Sequence, residues 1–214
     1  MKRNLAELVY IVDRSGSMAG LESDTIGGIN ANLARNREAE GDANVSIVLF
    51  DNEPEVIVDR KPIGNVPDLT ARDYQVRGCT ALLDALGGSM RHIERVQRYM
   101  PEGHKADKVI FVITTDGLEN SSREYSVAEV RREVERHTEE GWEFLFLGAN
   151  IDAVQEAGRI GIRADRAATY VADELGSKVM YDAVADASVH MRCGSAPLDA
   201  GWKREIEEDA RSRG

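Results

Sequence analysis

Two runs, Leu8-Val9-Tyr10-Ile11-Val12 and Val109-Ile110-Phe111-Val112-Ile113, constrain the fold of this 214-residue chain more than any other feature. Neither run alternates apolar with polar residues, so neither has a face to show to water. Both read as strands buried on two sides, the signature of a parallel sheet covered by helices above and below. Each run ends in an aspartate-bearing turn, Asp13-Arg14-Ser15-Gly16-Ser17 after the first and Thr114-Thr115-Asp116-Gly117 after the second. Open α/β sheets bind ligands beyond the carboxyl ends of their strands, where both aspartates fall.

A further island, Gly78-Cys79-Thr80, lies between them and opens the helical stretch Ala81-Leu82-Leu83-Asp84-Ala85-Leu86, with Thr80 expected at or near the N-cap. Asp13, Ser15, Ser17, Thr80 and Asp116 together offer only hard oxygen donors. Alternation turns positions 13, 15 and 17 to one side of their loop, while Arg14 and Gly16 point away or supply the bend. Such a set suits Mg²⁺ or Mn²⁺, bound by about six oxygens in an octahedron that water completes. Calcium fits less well, with only two carboxylates in view. Zinc fits less well again, because Cys79 and Cys193 are far apart and the four histidines show no ligand spacing. Read singly, each island is an ordinary turn or helix cap. Three such turns falling jointly on one oxygen-donor template is the less economical reading.

In this order, and behind these elements, Asp-x-Ser-x-Ser, Gly-x-Thr and Thr-Asp-Gly resemble the metal-ion-dependent adhesion site of von Willebrand factor A domains, over residues 5 to 190. The stretches Val109 to Asn120 and Trp142 to Asp152 look like stand-alone A-domain proteins of bacteria and their phages. The resemblance implies that Ser15, Ser17 and Thr80 contact a metal through their hydroxyls, while Asp13 and Asp116 act directly or through water. It also implies a coordination position left for an Asp or Glu of a bound protein partner. Members commonly serve as adaptors in larger assemblies, bacterial ones often beside ATPase machines. Resemblance to A domains that change affinity further implies a final helix, here Leu175 to Met191, able to slide along the sheet; the alternative is a fixed core helix.

Charge argues against one partner class and hydropathy against another. With 38 acidic against 27 basic residues the net charge is −11, whereas nucleic acid calls for a basic face. No apolar run approaches the roughly 20 residues that cross a bilayer, and no charged-then-apolar leader is evident, so a cytoplasmic protein without membrane contact is expected. Both cysteines then read as reduced thiols. Arg14 and Arg77 flank the candidate metal loops and, with Gly117, are expected to form the rim that meets an acidic ligand.

A pass along the chain gives alternating strands and helices: strands at 5–12, 44–50, 55–59, 108–114, 143–147 and 168–171, and helices at 21–40, 80–99, 126–139, 151–158 and 175–191. The tight turn Asp51-Asn52-Glu53-Pro54 makes the third strand an antiparallel edge. Right-handed crossovers place helices on both faces. The expected fold is therefore an α/β, three-layer, doubly wound (Rossmann-like) domain over 1–192, with a six-stranded, mostly parallel sheet. Residues 193–214 read as a charged, loose tail.

The rival reading is an enzyme, a Mg²⁺-dependent phosphohydrolase of the haloacid-dehalogenase type with Asp13 as nucleophile and Thr114 or Thr115 behind it. That chemistry wants an acid/base carboxylate two residues after the nucleophile, where this chain has Ser15. A protein-binding module without catalytic residues is the preferred expectation.

Overall fold

The computed structural model describes residues 4–194 and 196–213. The expected run-in from Met1 to Arg3 lies outside them. Strands β1 (Leu5–Asp13), β2 (Asp42–Phe50), β3 (Pro54–Pro62), β4 (Lys108–Thr115), β5 (Glu143–Ala149) and β6 (Ala167–Tyr170) form one sheet in the order β3-β2-β1-β4-β5-β6. All neighbours run parallel except β2 and β3, so the antiparallel edge strand stands where the short Asp51–Pro54 turn requires it. Helices α1 (Glu22–Glu38), α2 (Leu82–Tyr99), α3 (Val127–Glu139), α4 (Ala153–Arg159), α5 (Glu174–Cys193) and α6 (Arg204–Arg213) complete the chain.

The unbroken apolar run of β1 is explained by its position between two cores. Leu8, Tyr10 and Val12 pack in one layer with Ile29 and Leu33 of α1 and Met180 and Val184 of α5. Val9 and Ile11 point the other way, toward Leu86 and Met90 of α2 and Val130 and Val134 of α3. Strand pleating sends successive side chains to opposite faces, and both faces here are covered. The three-layer, doubly wound architecture is as expected.

Connections from β1 lead to one side of the sheet and those into β4 to the other, so strand order reverses between these two neighbours. Their carboxyl ends, which carry Asp13 and Asp116, form the topological switch point, the place where open α/β sheets bind ligands. On the opposite layer α1 and α5 approach closely: a Cβ built on Gly28 would lie 2.0 Å from Cδ2 of Tyr181. Gly28 is thus fixed by packing, not by backbone conformation.

The carboxyl-terminal segment departs from expectation. Residues 204–213 are helical and packed, with Ile206 buried in the core beside α5 and β6. Lys203 donates to the carbonyls of Ala164 and Ala167 at 2.9 and 2.8 Å, and Trp202 Nε1 donates to the carbonyl of Asp165 at 2.8 Å. Leu198 precedes the helical residues, Trp202 lies in the short turn Ala200–Lys203 and Ile206 on α6 itself, and all three pack inward from an otherwise charged segment. Charge composition concealed a short amphipathic helix.

Candidate metal centre

Each donor arrives on a separate piece of the fold. Asp13 is the last residue of β1 and fully buried; Ser15 and Ser17 lie in the turn that follows; Asp116 succeeds β4, which pairs directly with β1. The Ser15 amide donates to Asp13 Oδ1 at 2.7 Å, an Asx turn that aims the carboxylate and the two serines together. Ser15 Oγ lies 3.0 Å from Ser17 Oγ, and Ser17 Oγ donates to Asp116 Oδ1 at 2.5 Å. Four of the expected donors therefore form one continuous string.

Thr80 joins them across Gly117. A Cβ built on Gly117 would stand 3.0 Å from Thr80 Oγ1 and 3.4 Å from Ser17 Oγ, so the missing side chain keeps the space between these hydroxyls open. Thr80 lies next to the N-cap, as its spacing suggested, and immediately precedes it. The cap position is Ala81, and the first amides of α2 are taken by the loop after β4: Leu83 N donates to Glu119 Oε2 at 2.9 Å and Asp84 N to Ser122 Oγ at 3.1 Å. That loop is held in return by Asp84, whose carboxylate accepts from the amides of Arg123, Glu124 and Tyr125. Asn120 exchanges hydrogen bonds with the Thr80 backbone in both directions. The turn bearing Asp116 and Gly117 is in this way fastened to the one bearing Thr80.

Further groups on the site were not apparent from the motif. Thr115 Oγ1 donates to Asp13 Oδ2 at 2.6 Å, so both carboxylate oxygens of Asp13 are held. Tyr74 OH donates to the Asp13 carbonyl at 2.6 Å from the long connection between β3 and α2. Thr115 stood inside the motif as read, and its neighbourhood to a catalytic-looking Asp was the available signal. Tyr74 offered none beyond its isolated aromatic character in a polar stretch.

Electrostatics favour a cation here. Burial pushes the Asp13 carboxyl above the usual range, with hydrogen bonds from Thr115 and Ser15 opposing and the charge of Asp116 adding to the rise. Burial likewise raises Asp116, against the hydrogen bond from Ser17. Two desolvated carboxylates stand at one sheet edge, and a divalent ion would offset the cost of ionising both. The donor set of two carboxylates and three hydroxyls fits a hard cation that keeps some of its water. Among the described residues no three His, Cys, Asp or Glu side chains gather as a metal cage, and here two carboxylates are joined by hydroxyls instead.

The arginines behave differently from expectation. Arg14 is buried, not on the rim, and its Nε donates to Asp51 Oδ2 at 2.8 Å while Nη1 meets Glu55 at 2.7 Å. Arg77 is exposed, yet its Nε also donates to Asp51 Oδ2, at 2.7 Å. A basic residue within an Asp-x-Ser-x-Ser loop cannot face the cation without repelling it; burial against Asp51 resolves the conflict. Of the expected rim, Gly117 lines the opening, and next to it Leu118 is one of few large exposed apolar side chains.

Comparison with known proteins bears on the fold. No protein-family model matches the sequence, and no curated protein does. Among solved structures, the chain is similar to proximal thread matrix protein 1 from the mussel byssus with zinc occupying its metal-ion-dependent adhesion site motif, at TM-score 0.60 and 16% identity, over 86% of this chain and 46% of that one. It is also similar to a von Willebrand factor type A protein from Catenulispora acidiphila, at TM-score 0.55 and 16% identity, over 86% and 42%. The fold is that of a von Willebrand factor A domain. A third A-domain structure, the ArnB paralog VWA2 from Sulfolobus acidocaldarius, aligns at TM-score 0.54 and 17% identity, over 86% of this chain and 45% of that one. This chain thus spans under half the length of these solved A-domain proteins. The phosphohydrolase alternative finds no support among them. No helix among the described residues is long and apolar enough to cross a membrane.

Proposed function

We propose that this A domain is a Mg²⁺- or Mn²⁺-dependent protein-binding module of the stand-alone bacterial or phage kind, which captures an acidic residue of a partner. The observation that carries the reading is the single string of donors, Asp13, Ser15, Ser17 and Asp116, closed by Thr80 across the bare backbone of Gly117. Asp13, Asp116 and the three hydroxyls would hold the ion. Bound there, the ion supplies a Lewis-acidic, positively charged position for a carboxylate oxygen.

The chain's own groups do the rest. Thr115 and the Ser15 amide orient Asp13 from behind, the fastened loop 117–125 sets the height of Asp116 against Thr80, and Gly117 leaves room for an incoming side chain. With Arg14 and Arg77 both engaged by Asp51, selectivity around the carboxylate falls to exposed neighbours such as Leu118. A protein donating Asp or Glu, as part of a cytoplasmic assembly that includes an ATPase, is the partner this reading favours over nucleic acid or membrane. No residue is assigned a catalytic role.

Calorimetric titration with Mg²⁺ and Mn²⁺ tests the site. Binding is expected in the native chain and absent in Asp13→Ala and Asp116→Ala, both of which should retain the native circular dichroism spectrum. Unchanged affinity in either variant would remove the site assignment. Capture of a protein in Mg²⁺ and its release in EDTA tests the partner; turnover of a generic phosphate ester that disappears in Asp13→Asn would instead make the protein an enzyme.

A further inference from the structure

We propose that Asp51, which touches none of the five donor residues' side chains, is a positioning residue that sets the affinity of the centre for its divalent ion. The inference rests on the metal-binding reading and extends it to a residue outside every motif.

Asp51 occupies the turn after β2 and is buried. Its single Oδ2 accepts from the Nε of Arg14 and from the Nε of Arg77, at 2.8 and 2.7 Å, while Oδ1 accepts from the Glu53 amide at 3.2 Å. These two arginines belong to different donor-bearing loops. Arg14 stands between Asp13 and Ser15, and Arg77 lies three residues before Thr80. One carboxylate therefore clamps together the two loops whose spacing defines the centre.

Backbone bonds around it act in the same direction. Arg14 N donates to the Phe50 carbonyl, Arg77 N to the Arg14 carbonyl, Gly16 N to the Gly78 carbonyl, and Ala81 N to the Asp51 carbonyl, at 2.9, 2.8, 3.1 and 2.8 Å. Asn52 Oδ1 accepts from the Cys79 amide at 2.9 Å. The Asp51-Asn52 turn is thus a keystone between the first donor loop and the second.

Charge gives Asp51 a second duty. Arg14 is buried directly behind the donor loop, where a cation must bind, and an uncompensated guanidinium there would oppose it. Asp51 and Glu55 together balance Arg14 and Arg77. Burial pushes the Asp51 carboxyl up, but hydrogen bonds from Arg77, the Glu53 amide and Arg14 outweigh that and hold it below the usual range, so it stays ionised. Groups that orient ligands from behind alter metal affinity by roughly tenfold to a hundredfold when removed.

The test is titration of the full chain with Mn²⁺ alone, for the native protein, Asp13→Ala, Asp51→Asn and Asp51→Asn/Arg77→Gln, each paired with its urea midpoint without metal. Native binding abolished in Asp13→Ala secures the underlying reading, and its absence in the native chain removes that reading. Given native binding, Asp51→Asn should weaken Mn²⁺ at least about tenfold. Part of the loss should be recovered in the double variant, which restores charge balance. Unchanged affinity in Asp51→Asn, or a loss that Arg77→Gln leaves untouched, overturns the proposal. Should Asp51→Asn fail to fold, Glu55→Gln serves: it removes an exposed carboxylate balancing the same arginines, and native-like Mn²⁺ affinity in it overturns the electrostatic role.

Discussion

Thr115 Oγ1 donates to Asp13 Oδ2 at 2.6 Å, joining the ends of two adjacent parallel strands that lie 102 residues apart in sequence. The bond holds a buried carboxylate in one orientation and opposes the rise in pKa that burial imposes on it. In Thr115→Val, shape is kept and the donor is lost. Mg²⁺ affinity should fall several-fold to about tenfold while the fold persists, as calorimetry and circular dichroism would record. Native affinity in the variant would mean that Asp13 is oriented by the Ser15 amide alone.

Thr80 supports a contrast between affinity and stability. An N-cap threonine is worth about 1 kcal/mol, but α2 starts beyond Thr80 and is capped by Glu119 and Ser122. Thr80→Ala should leave the urea midpoint within a few tenths of a kcal/mol of native and still lower Mn²⁺ affinity. A full capping loss with unchanged Mn²⁺ binding would return Thr80 to a purely structural part.

The α1–α5 contact is tested at Gly28. Alanine normally stabilises a helix by about 1 kcal/mol relative to glycine, yet here its methyl would sit 2.0 Å from the Tyr181 ring. Overpacking of this kind costs about 1–3 kcal/mol. Net destabilisation of Gly28→Ala is expected in urea, and a gain in stability would show that the helices can part freely.

Much of this was legible in the sequence because burial and chemistry left local traces. The two unbroken apolar runs could only be interior parallel strands, and the Asp51–Pro54 turn allowed nothing but a hairpin. The donors were readable because Asp13, Ser15 and Ser17 alternate within one loop. What escaped is non-local. Thr115, Tyr74 and Asp51 matter through partners 102, 61 and 37 residues away, and no spacing announces such a pair. Arg14 was misplaced on the rim for the same reason, since its buried acceptor lies on a different strand's turn. For α6 the apolar signal within the helix was Ile206, with Leu198 and Trp202 ahead of it, and surrounding charge outweighed it.

That helix makes its own prediction. Ile206 is 1% exposed and packs into the layer formed by α5 and β6. Ile206→Ala should cost about 2–5 kcal/mol, measured by chemical denaturation. A cost near zero would restore the loose tail.

His137 gives the stability a pH dependence. Burial lowers its pKa below the usual value, against the hydrogen bond from Nδ1 to Glu140 at 2.9 Å, and the ring stacks on Trp142 with centroids 3.7 Å apart. With its folded pKa below the unfolded value of about 6.5, the folded state favours the neutral ring. Its contribution is therefore fully present above pH 6.5 and is lost as pH falls through the lower folded pKa. Between pH 7.5 and 5 the native urea midpoint should drop more than that of His137→Phe; parallel curves would show that folding leaves the pKa of the ring unshifted.

The path of α6 bears on how the domain can be mounted. It begins near Lys203, tied to the carbonyls of Ala164 and Ala167 at the start of β6, and ends at Arg213, paired with Asp173 at 2.6 Å just beyond that strand's far end. The last turn of α6 therefore emerges on the same rim as Asp13 and Asp116, whereas β1 begins on the opposite one. A tag, support or neighbouring module joined ahead of Leu5 would hold the rim bearing Asp13 and Asp116 outward, like a cup on a stem. The same attachment after Arg213 would leave from the rim that carries Asp13 and Asp116, so the choice of end for immobilisation decides which sheet edge faces the support.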